Sequence, residues 1–205
     1  MGRLGVFGGT FDPIHIGHLA AAERTLSDFD LDRIIFVPAN VPPHKPDHVV
    51  TPPEHRMNMV LVATAENPCF NVSNVEMVRG GRSFTVDTMV YFREMHPEDE
   101  LFFIMGMDSL LELDTWHDVE GLVALCRLVV VARPGYELDK TDSRLVNLPP
   151  IVWDRIDYLQ VPGLDISATD IRSRLKEGKS VRYLLIPQVY DYIQDHGLFG
   201  GGYGG

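Results

Sequence analysis

The feature that most limits how this chain can fold is a glycine-rich turn between a short apolar run and a helical pattern. The apolar run extends from Leu4 to Phe7, and residues 8–18 after it read GGTFDPIHIGH. Glycine lets the backbone approach a polyphosphate closely, and the free N–H groups at the start of a helix attract anions. This strand-turn-helix unit therefore predicts phosphoryl or nucleotidyl chemistry.

The rest of the chain continues the alternation of strands and helices. Short, nearly all-apolar runs are typical of strands buried on both faces of a parallel sheet, and they occur at Leu4–Phe7, Ile34–Val37, Leu101–Met105 and Leu128–Ala132. Helical patterns lie between and after them, at His18–Asp28, Pro53–Ala65, Phe84–Met95 and, in two pieces around Trp116, Ser109–Leu125. A further strand at Tyr158–Val161 precedes a short helix from Ser167 and a closing helix at Pro187–His196. The order predicts an α/β fold: a doubly wound, Rossmann-like parallel sheet with helices on both faces and a small C-terminal helical portion.

Residues 1–199 are expected to form one domain, followed by a disordered glycine-rich tail at 200–205. Residues 39–53 contain five prolines and predict a long ordered loop at the ligand-binding edge of the sheet. For the helix after this loop, the pattern predicts a capping box with Thr51 as the N-cap and Glu54 as its partner. Its apolar face is expected to carry Met57, Val60, Leu61 and Thr64.

Charge and cysteine usage exclude several classes of protein. The formal charge of −11 argues against a nucleic-acid partner, so any positive charge that binds phosphates must be concentrated locally. Cys69 and Cys126 lack the spacing of metal ligands or of a disulfide framework, which predicts buried reduced thiols and a cytoplasmic protein. We expect neither a signal peptide nor a membrane-spanning helix, and the oligomeric state stays open.

His15 and His18 are the strongest candidates for chemistry. Their spacing places both imidazoles on one face of the first helical turn, where both could donate hydrogen bonds to one phosphate. The structural alternative is a helix cap with one buried and one exposed histidine. The attached glycines and the Phe-Asp-Pro segment favour function. The other histidines show no ligand spacing and are interpreted as surface or structural residues: His48, His55, His96, His117 and His196.

Two segments together resemble the signature of the nucleotidylyltransferase superfamily. The first is GTFDPIHIGH at residues 9–18, and the second is ISATDIR at residues 166–172, where Ala168 replaces a usual serine. Read alone, Ser167 with Asp170 predicts only a capped helix, and Arg172 a surface charge. In the superfamily the second segment holds ATP phosphates.

Intermediate segments resemble the nicotinate-nucleotide adenylyltransferases within that superfamily. These segments are VPPHK at 41–45, GRSFTVDT at 81–88, GMD at 106–108, WH at 116–117 and VARPG at 131–135. The resemblance implies that the catalytic residues are His15, His18, Lys45 and Arg172. It implies ATP contacts at Gly8, Gly9, Thr10, Phe11, His18, Gly106, Asp108, Ile166, Ser167 and Arg172. It implies contacts to the nicotinate nucleotide at Thr10, Lys45, Thr85, Trp116 and Arg133.

Each of the intermediate residues also has a structural interpretation. Lys45 could be an ordinary solvated lysine, and Arg133 an exposed arginine at a strand end. Trp116 could stack on a pyridinium ring or simply pack in the core. Thr85 could bind a carboxylate, cap a helix, or do both, and Asp108 could accept from a ribose or cap a helix that begins at Ser109.

The implied reaction joins nicotinate mononucleotide and ATP into nicotinate adenine dinucleotide and pyrophosphate. The pattern shows no cluster of metal ligands, so Mg²⁺ is expected to be carried by the ATP phosphates, with Asp12 at most an indirect contact. Three alternatives remain: an adenylyltransferase for nicotinamide mononucleotide, one for phosphopantetheine, and a non-catalytic nucleotide-binding sensor.

Overall fold

A single parallel sheet organises the computed structural model, which describes residues 1–42, 50–132, 142, 144–161 and 166–200. Its strands are β1 (Arg3–Gly9), β2 (Arg33–Pro38), β3 (Phe70–Val72), β4 (Glu100–Gly106), β5 (Arg127–Ala132) and β6 (Ile156–Gln160). Their spatial order is β3-β2-β1-β4-β5-β6, and each neighbouring pair is parallel. This is the strand order of a doubly wound nucleotide-binding sheet, so the predicted fold class is confirmed.

The helices cover both faces of the sheet. They are α1 (Ile16–Asp28), α2 (Pro53–Thr64), α3 (Val75–Arg79), α4 (Thr85–Met95), α5 (Met107–Leu111), α6 (Val119–Leu125), α7 (Pro150–Trp153), α8 (Ala168–Lys176) and α9 (Pro187–Asp195). Short 3₁₀ turns at Leu113–Thr115 and Leu198–Gly200 complete the description.

Alternate side chains of each strand enter opposite halves of the core because successive residues of a strand point to opposite faces. In β4, Phe102 and Ile104 pack with apolar residues of α1, α2, α8 and α9. Leu101, Phe103 and Met105 pack with residues of α4, α5, α6 and α7. The all-apolar strand runs of the sequence are thus explained by burial on both faces.

α2 begins at Pro53, and Val60 and Thr64 are buried, as predicted, but the predicted cap and the rest of the buried face are wrong. The N-cap residue is Pro52, and no side chain caps the helix. The Thr51 N–H, which a capping box would pair with Glu54, donates to the Asp12 carboxylate at 3.4 Å. Leu61 is 44% exposed, whereas Arg56 is 1% exposed. The helix is rotated toward Arg56, whose guanidinium finds polar partners inside the protein.

Short elements were missed because they carry little periodic signal. β3 has three residues, and α3 and α7 have five and four.

Both cysteines are free, but only Cys126 is buried, and burial raises the pKa of its thiol to about 12. Among the described residues, the helices are too short or too polar to cross a bilayer. The tail predicted to be disordered is 200–205. Gly200 belongs to the last 3₁₀ turn, and residues 201–205 lie outside the described residues.

Candidate active site

The glycine-rich turn follows β1 at the carboxyl edge of the sheet, as predicted. A Cβ atom at Gly8 would lie 2.9 Å from the ring of Phe103, and one at Gly9 would lie 2.9 Å from the ring of Phe11. Phe11 itself is 2% exposed and has a left-handed backbone, with φ of 49°. The two glycines are therefore required by close packing beneath the turn, and the aromatic rings give it a rigid floor.

His15 and His18 form a stacked pair at the start of α1. Their ring centroids are 3.7 Å apart, and the backbone N–H of His15 donates to Nδ1 of His18 at 3.2 Å. His15 is the N-cap residue, as the structural alternative requires, but His18 is partly buried rather than exposed. Burial, and to a lesser extent the neighbouring His15, lower the pKa of His18 well below its ordinary value.

This geometry fixes the protonation state of His18. Its Nδ1 atom accepts a hydrogen bond, so the neutral ring carries its proton on Nε2. The lowered pKa keeps the ring neutral near pH 7. His18 can therefore present one N–H donor to an anion without the cost of holding a buried charge.

The start of α8 adjoins the start of α1. A Cβ atom at Gly17 would lie 3.8 Å from Cβ of Ile166. Nη1 of Arg172 donates to the carbonyl oxygen of Asp12 at 2.7 Å. The Ser167 hydroxyl also caps α8 by accepting from the Asp170 N–H at 3.1 Å, so capping and ligand binding are compatible at this helix start. The two sequence segments, about 150 residues apart, thus meet in one place.

Asp12 supplies a carboxylate oxygen that could contact a divalent cation. Its side chain is 6% exposed, and one oxygen accepts from Thr51 while Oδ1 is buried with no hydrogen-bond partner in the described part of the chain. A hard oxygen of this kind suits Mg²⁺. Within the same described ranges, no group of three or more His, Cys, Asp or Glu side chains could hold a metal ion. A single carboxylate of this kind would leave the other ligand positions of such an ion to phosphates and water.

A cleft of about 190 Å³ opens beside the glycine-rich turn. It brings together three residues predicted to bind the nicotinate nucleotide, namely Thr10, Thr85 and Trp116. Trp116 is partly buried and lies edge-on to Phe103, with ring centroids 6.1 Å apart, so it both packs against the core and lines the cleft. Thr85 is the first residue of α4, and the N-cap position belongs to Phe84.

Other predicted site residues lie outside this cleft or outside the described residues. Gly106 is the N-cap of α5, so Asp108 stands in the first turn of that helix as an exposed side chain and does not cap it. Neither residue lines the cleft. Lys45 and Arg133 lie outside the described residues.

Several residues of the cleft were not predicted. Glu76, Ser83 and Glu112 line it, and so does His117, which the sequence had assigned to the surface or to structure. The His117 ring lies 4.8 Å from that of Phe84. The position of His117 directly after Trp116, a predicted site residue, could have indicated its place in the cleft.

Glu76 is a buried carboxyl group at the side of the cleft. It is 6% exposed and accepts from the Thr88 hydroxyl at 2.6 Å. Burial raises its pKa, while Ser83, Thr88 and Arg79 act in the opposite direction. Nothing in the sequence pattern indicated this group, because it lies on the short helix α3 that periodicity did not reveal.

Comparison with known proteins agrees with this geometry. Residues 6–174 match the cytidylyltransferase-like family model. The chain is 48% identical to a probable nicotinate-nucleotide adenylyltransferase of Moorella thermoacetica, over 97% of this chain and 92% of the relative. It is 47% identical to one of Thermus thermophilus, over 96% and 99%. A solved nicotinic acid mononucleotide adenylyltransferase of Plasmodium falciparum, complexed with NaAD, superimposes with a TM-score of 0.80 at 20% identity, over 98% of this chain and 99% of that one.

Proposed function

Because this chain belongs to the nicotinate-nucleotide adenylyltransferases of the cytidylyltransferase-like family, we propose that it joins nicotinate mononucleotide to ATP in NAD biosynthesis. An oxygen of the mononucleotide 5′-phosphate bonds to the α-phosphorus of ATP. The bond from that phosphorus to the β-phosphate bridging oxygen breaks. The products are nicotinate adenine dinucleotide and pyrophosphate. The observation that carries the proposal is the meeting of Arg172 with Asp12 at two adjoining helix starts beside the cleft.

The protein's contribution to this reaction is alignment and charge stabilisation. The attacking phosphate is already ionised near pH 7, so no strong general base is needed. We assign His18 Nε2–H and His15 to phosphate oxygens, and Arg172 to the charge that develops on pyrophosphate. The main-chain N–H groups of residues 8–11 and the start of α8 would cradle the remaining oxygens. Lys45 and Arg133 remain candidates for further phosphate contacts.

We propose that the start of α4 favours the acid over the amide as acceptor. A nicotinate carboxylate accepts hydrogen bonds only, which suits the Thr85 hydroxyl and the N–H groups at the start of α4. A nicotinamide would present its own N–H₂ to those donors. Trp116 would stack on the pyridinium ring.

A divalent ion completes the proposal. Mg²⁺ bound to the ATP phosphates would neutralise charge on the transferred group, and Asp12 Oδ1 would contact it, directly or through water. We further propose that the enzyme works in the cytoplasm, where thiols such as Cys69 and Cys126 stay reduced.

The test is pyrophosphate release by the purified protein with Mg-ATP and one acceptor at a time. We expect nicotinate mononucleotide to give the highest kcat/KM. A higher kcat/KM with nicotinamide mononucleotide or phosphopantetheine would change the proposed acceptor but keep the proposed adenylyl transfer. ATP binding without pyrophosphate release from any acceptor would replace catalysis with a sensor function.

A further inference from the structure

Arg56 is a buried cation outside every motif that indicates the site. It is 1% exposed, which places it among the largest fully buried side chains of the described residues. Its guanidinium donates to three backbone carbonyls: Nε to Thr51 at 2.8 Å, Nη1 to Thr10 at 2.8 Å and Nη2 to Asn40 at 3.0 Å. One side chain therefore joins the glycine-rich turn after β1 to both ends of the connection between β2 and α2.

Both segments lead to groups that the proposed function assigns to a substrate. Thr10 belongs to the glycine-rich turn and lines the cleft. The Thr51 N–H donates to Asp12, whose carbonyl oxygen accepts from Arg172. On this side, the contacts of Arg56 lead to the groups assigned to ATP.

On the other side, the contacts of Arg56 lead to the acceptor. The Asn40 N–H donates to the Ser83 hydroxyl oxygen at 2.8 Å, and its side-chain amide donates to the Gly81 carbonyl at 3.0 Å. Ser83 lines the cleft two residues before Thr85. Arg56 thus lies between the groups assigned to ATP and the wall of the cleft. It is linked to the cleft wall through Asn40 and Ser83, and to the ATP groups through Thr10 and Thr51.

The chemistry of these contacts needs arginine specifically. The planar guanidinium presents a rigid fork of donors, and three separate carbonyls use it here. A lysine keeps the charge but cannot reproduce that fork. Burial lowers the pKa of Arg56, and the charges of Asp12, Glu76 and Glu54 only partly offset that effect, while its hydrogen bonds within the described part of the chain all go to carbonyls. A buried cation held in this way is a poor source of stability alone, because apolar groups of similar volume are often equally good.

We propose that Arg56 is a positioning residue that sets the distance between the ATP loops and the acceptor loop, and so aligns the attacking phosphate with the α-phosphorus. The inference rests on the proposed function. Misplacing reacting groups by about 1 Å can cost about 100-fold in rate. Replacing Arg56 should therefore lower kcat, while the KM of each substrate changes little, because each part of the site still binds its own substrate.

A matched control exists at the opposite edge of the sheet. Arg93 also donates to backbone carbonyls, those of Asp99 at 2.8 Å and Leu125 at 2.9 Å among them. It is partly buried and lies near the amino ends of β4 and β5, where no predicted site residue lies. Arg93→Lys therefore removes a comparable clamp without touching the cleft.

The experiment measures kcat and both KM values for the wild type, Arg56→Lys and Arg93→Lys, each below its own unfolding transition. We expect Arg56→Lys to lower kcat by about tenfold or more with each KM within about threefold, and Arg93→Lys to keep kcat within about twofold. Equal kcat in Arg56→Lys and the wild type, a change confined to KM, or an equal loss in Arg93→Lys would overturn the inference. An inactive wild type would overturn the proposed function and this inference with it.

A second variant covers the case in which Arg56→Lys does not fold. Ser83→Ala removes the oxygen that accepts from Asn40 without creating a buried charge. We expect it to lower kcat by about threefold to tenfold with little change in the KM for ATP. An unchanged kcat in Ser83→Ala would then overturn the inference.

Discussion

The two edges of the sheet treat their polar groups differently. At the amino edge, the N–H of Gly2 donates to Asp99 at 2.6 Å and that of Arg3 to Asp32 at 2.7 Å. Arg127 forms a two-bond ion pair with Asp157, at 2.6 and 2.7 Å. Backbone donors, acids and bases there satisfy one another, so that edge stabilises the fold.

At the carboxyl edge, by contrast, the described arginine and aspartate side chains of the site do not pair with one another. Within the described ranges, Arg56 and Arg172 donate to carbonyl oxygens and form no ion pair, and Asp12 Oδ1 has no hydrogen-bond partner. Although the chain has a formal charge of −11, these two guanidinium groups make no direct ion pair with a carboxylate of the described residues, which suits phosphate binding. The comparison teaches that the pairing of charges, rather than their number, separates a structural edge from a binding edge.

The largest effect should come from removing His18 at the carboxyl edge. We expect His18→Ala to lower kcat by about 10²-fold or more, because one neutral N–H donor to the reacting phosphates is lost. Steady-state pyrophosphate release measures this, and circular dichroism checks that the fold is intact. His96→Ala is the matched control at the amino edge, where His96 lies 3.5 Å from Asp99. A folded His18→Ala enzyme with near-normal turnover would remove His18 from the mechanism.

A smaller effect is expected from Arg172. Arg172→Ala should lower kcat/KM for ATP by about tenfold, mainly through kcat, since a charge-assisted contact to the developing charge contributes roughly 1.5–3 kcal/mol. The control is Arg174→Ala on the same helix, whose side chain donates to the Ser180 carbonyl and points to no part of the cleft lining. If both variants lower kcat/KM equally, a general loss of positive charge explains the effect, and the two edges differ less than their contacts indicate.

The sequence predicted the elements whose pattern repeats, and the site where a motif is contiguous. Apolar runs such as Leu101–Met105 and the segment around His15 and His18 carry enough signal by themselves. Arg56 could not be found in this way, because its partners are backbone carbonyls of two separate segments and leave no trace in residue type. For the same reason Thr51 was assigned as a cap, although its N–H is used by Asp12.

Glu76 and His117 show a second limit of sequence reasoning. They enter the cleft only because α3 and the break after Leu113–Thr115 bring them to the edge of the sheet. Such short elements are decided by tertiary contacts rather than by propensity. A residue's role in a site is then visible only when the fold is known.

The amino edge makes the opposite prediction, a loss of stability without a loss of activity. Asp157→Asn breaks the ion pair with Arg127. The side chain of Arg127 is 31% exposed and that of Asp157 is 24% exposed. We expect a loss of about 1 kcal/mol in the free energy of unfolding, measured by urea titration. The kcat and KM values should stay within about twofold of the wild type. A large fall in kcat would show that the amino edge also controls the site.

The smallest effect concerns pH and compares His18 in the folded and unfolded protein. The unfolded chain has an ordinary histidine pKa of about 6.5, whereas burial lowers the folded value well below it. The unfolded state then binds the proton more readily, so stability is lost as pH falls below about 6.5. Wild-type unfolding free energy should therefore decrease more steeply than that of His18→Ala between pH 7 and 6, by less than about 1 kcal/mol. Parallel curves from urea titrations at each pH would mean that His18 is not held neutral by the fold, and its assigned role as a neutral donor at the binding edge would fail.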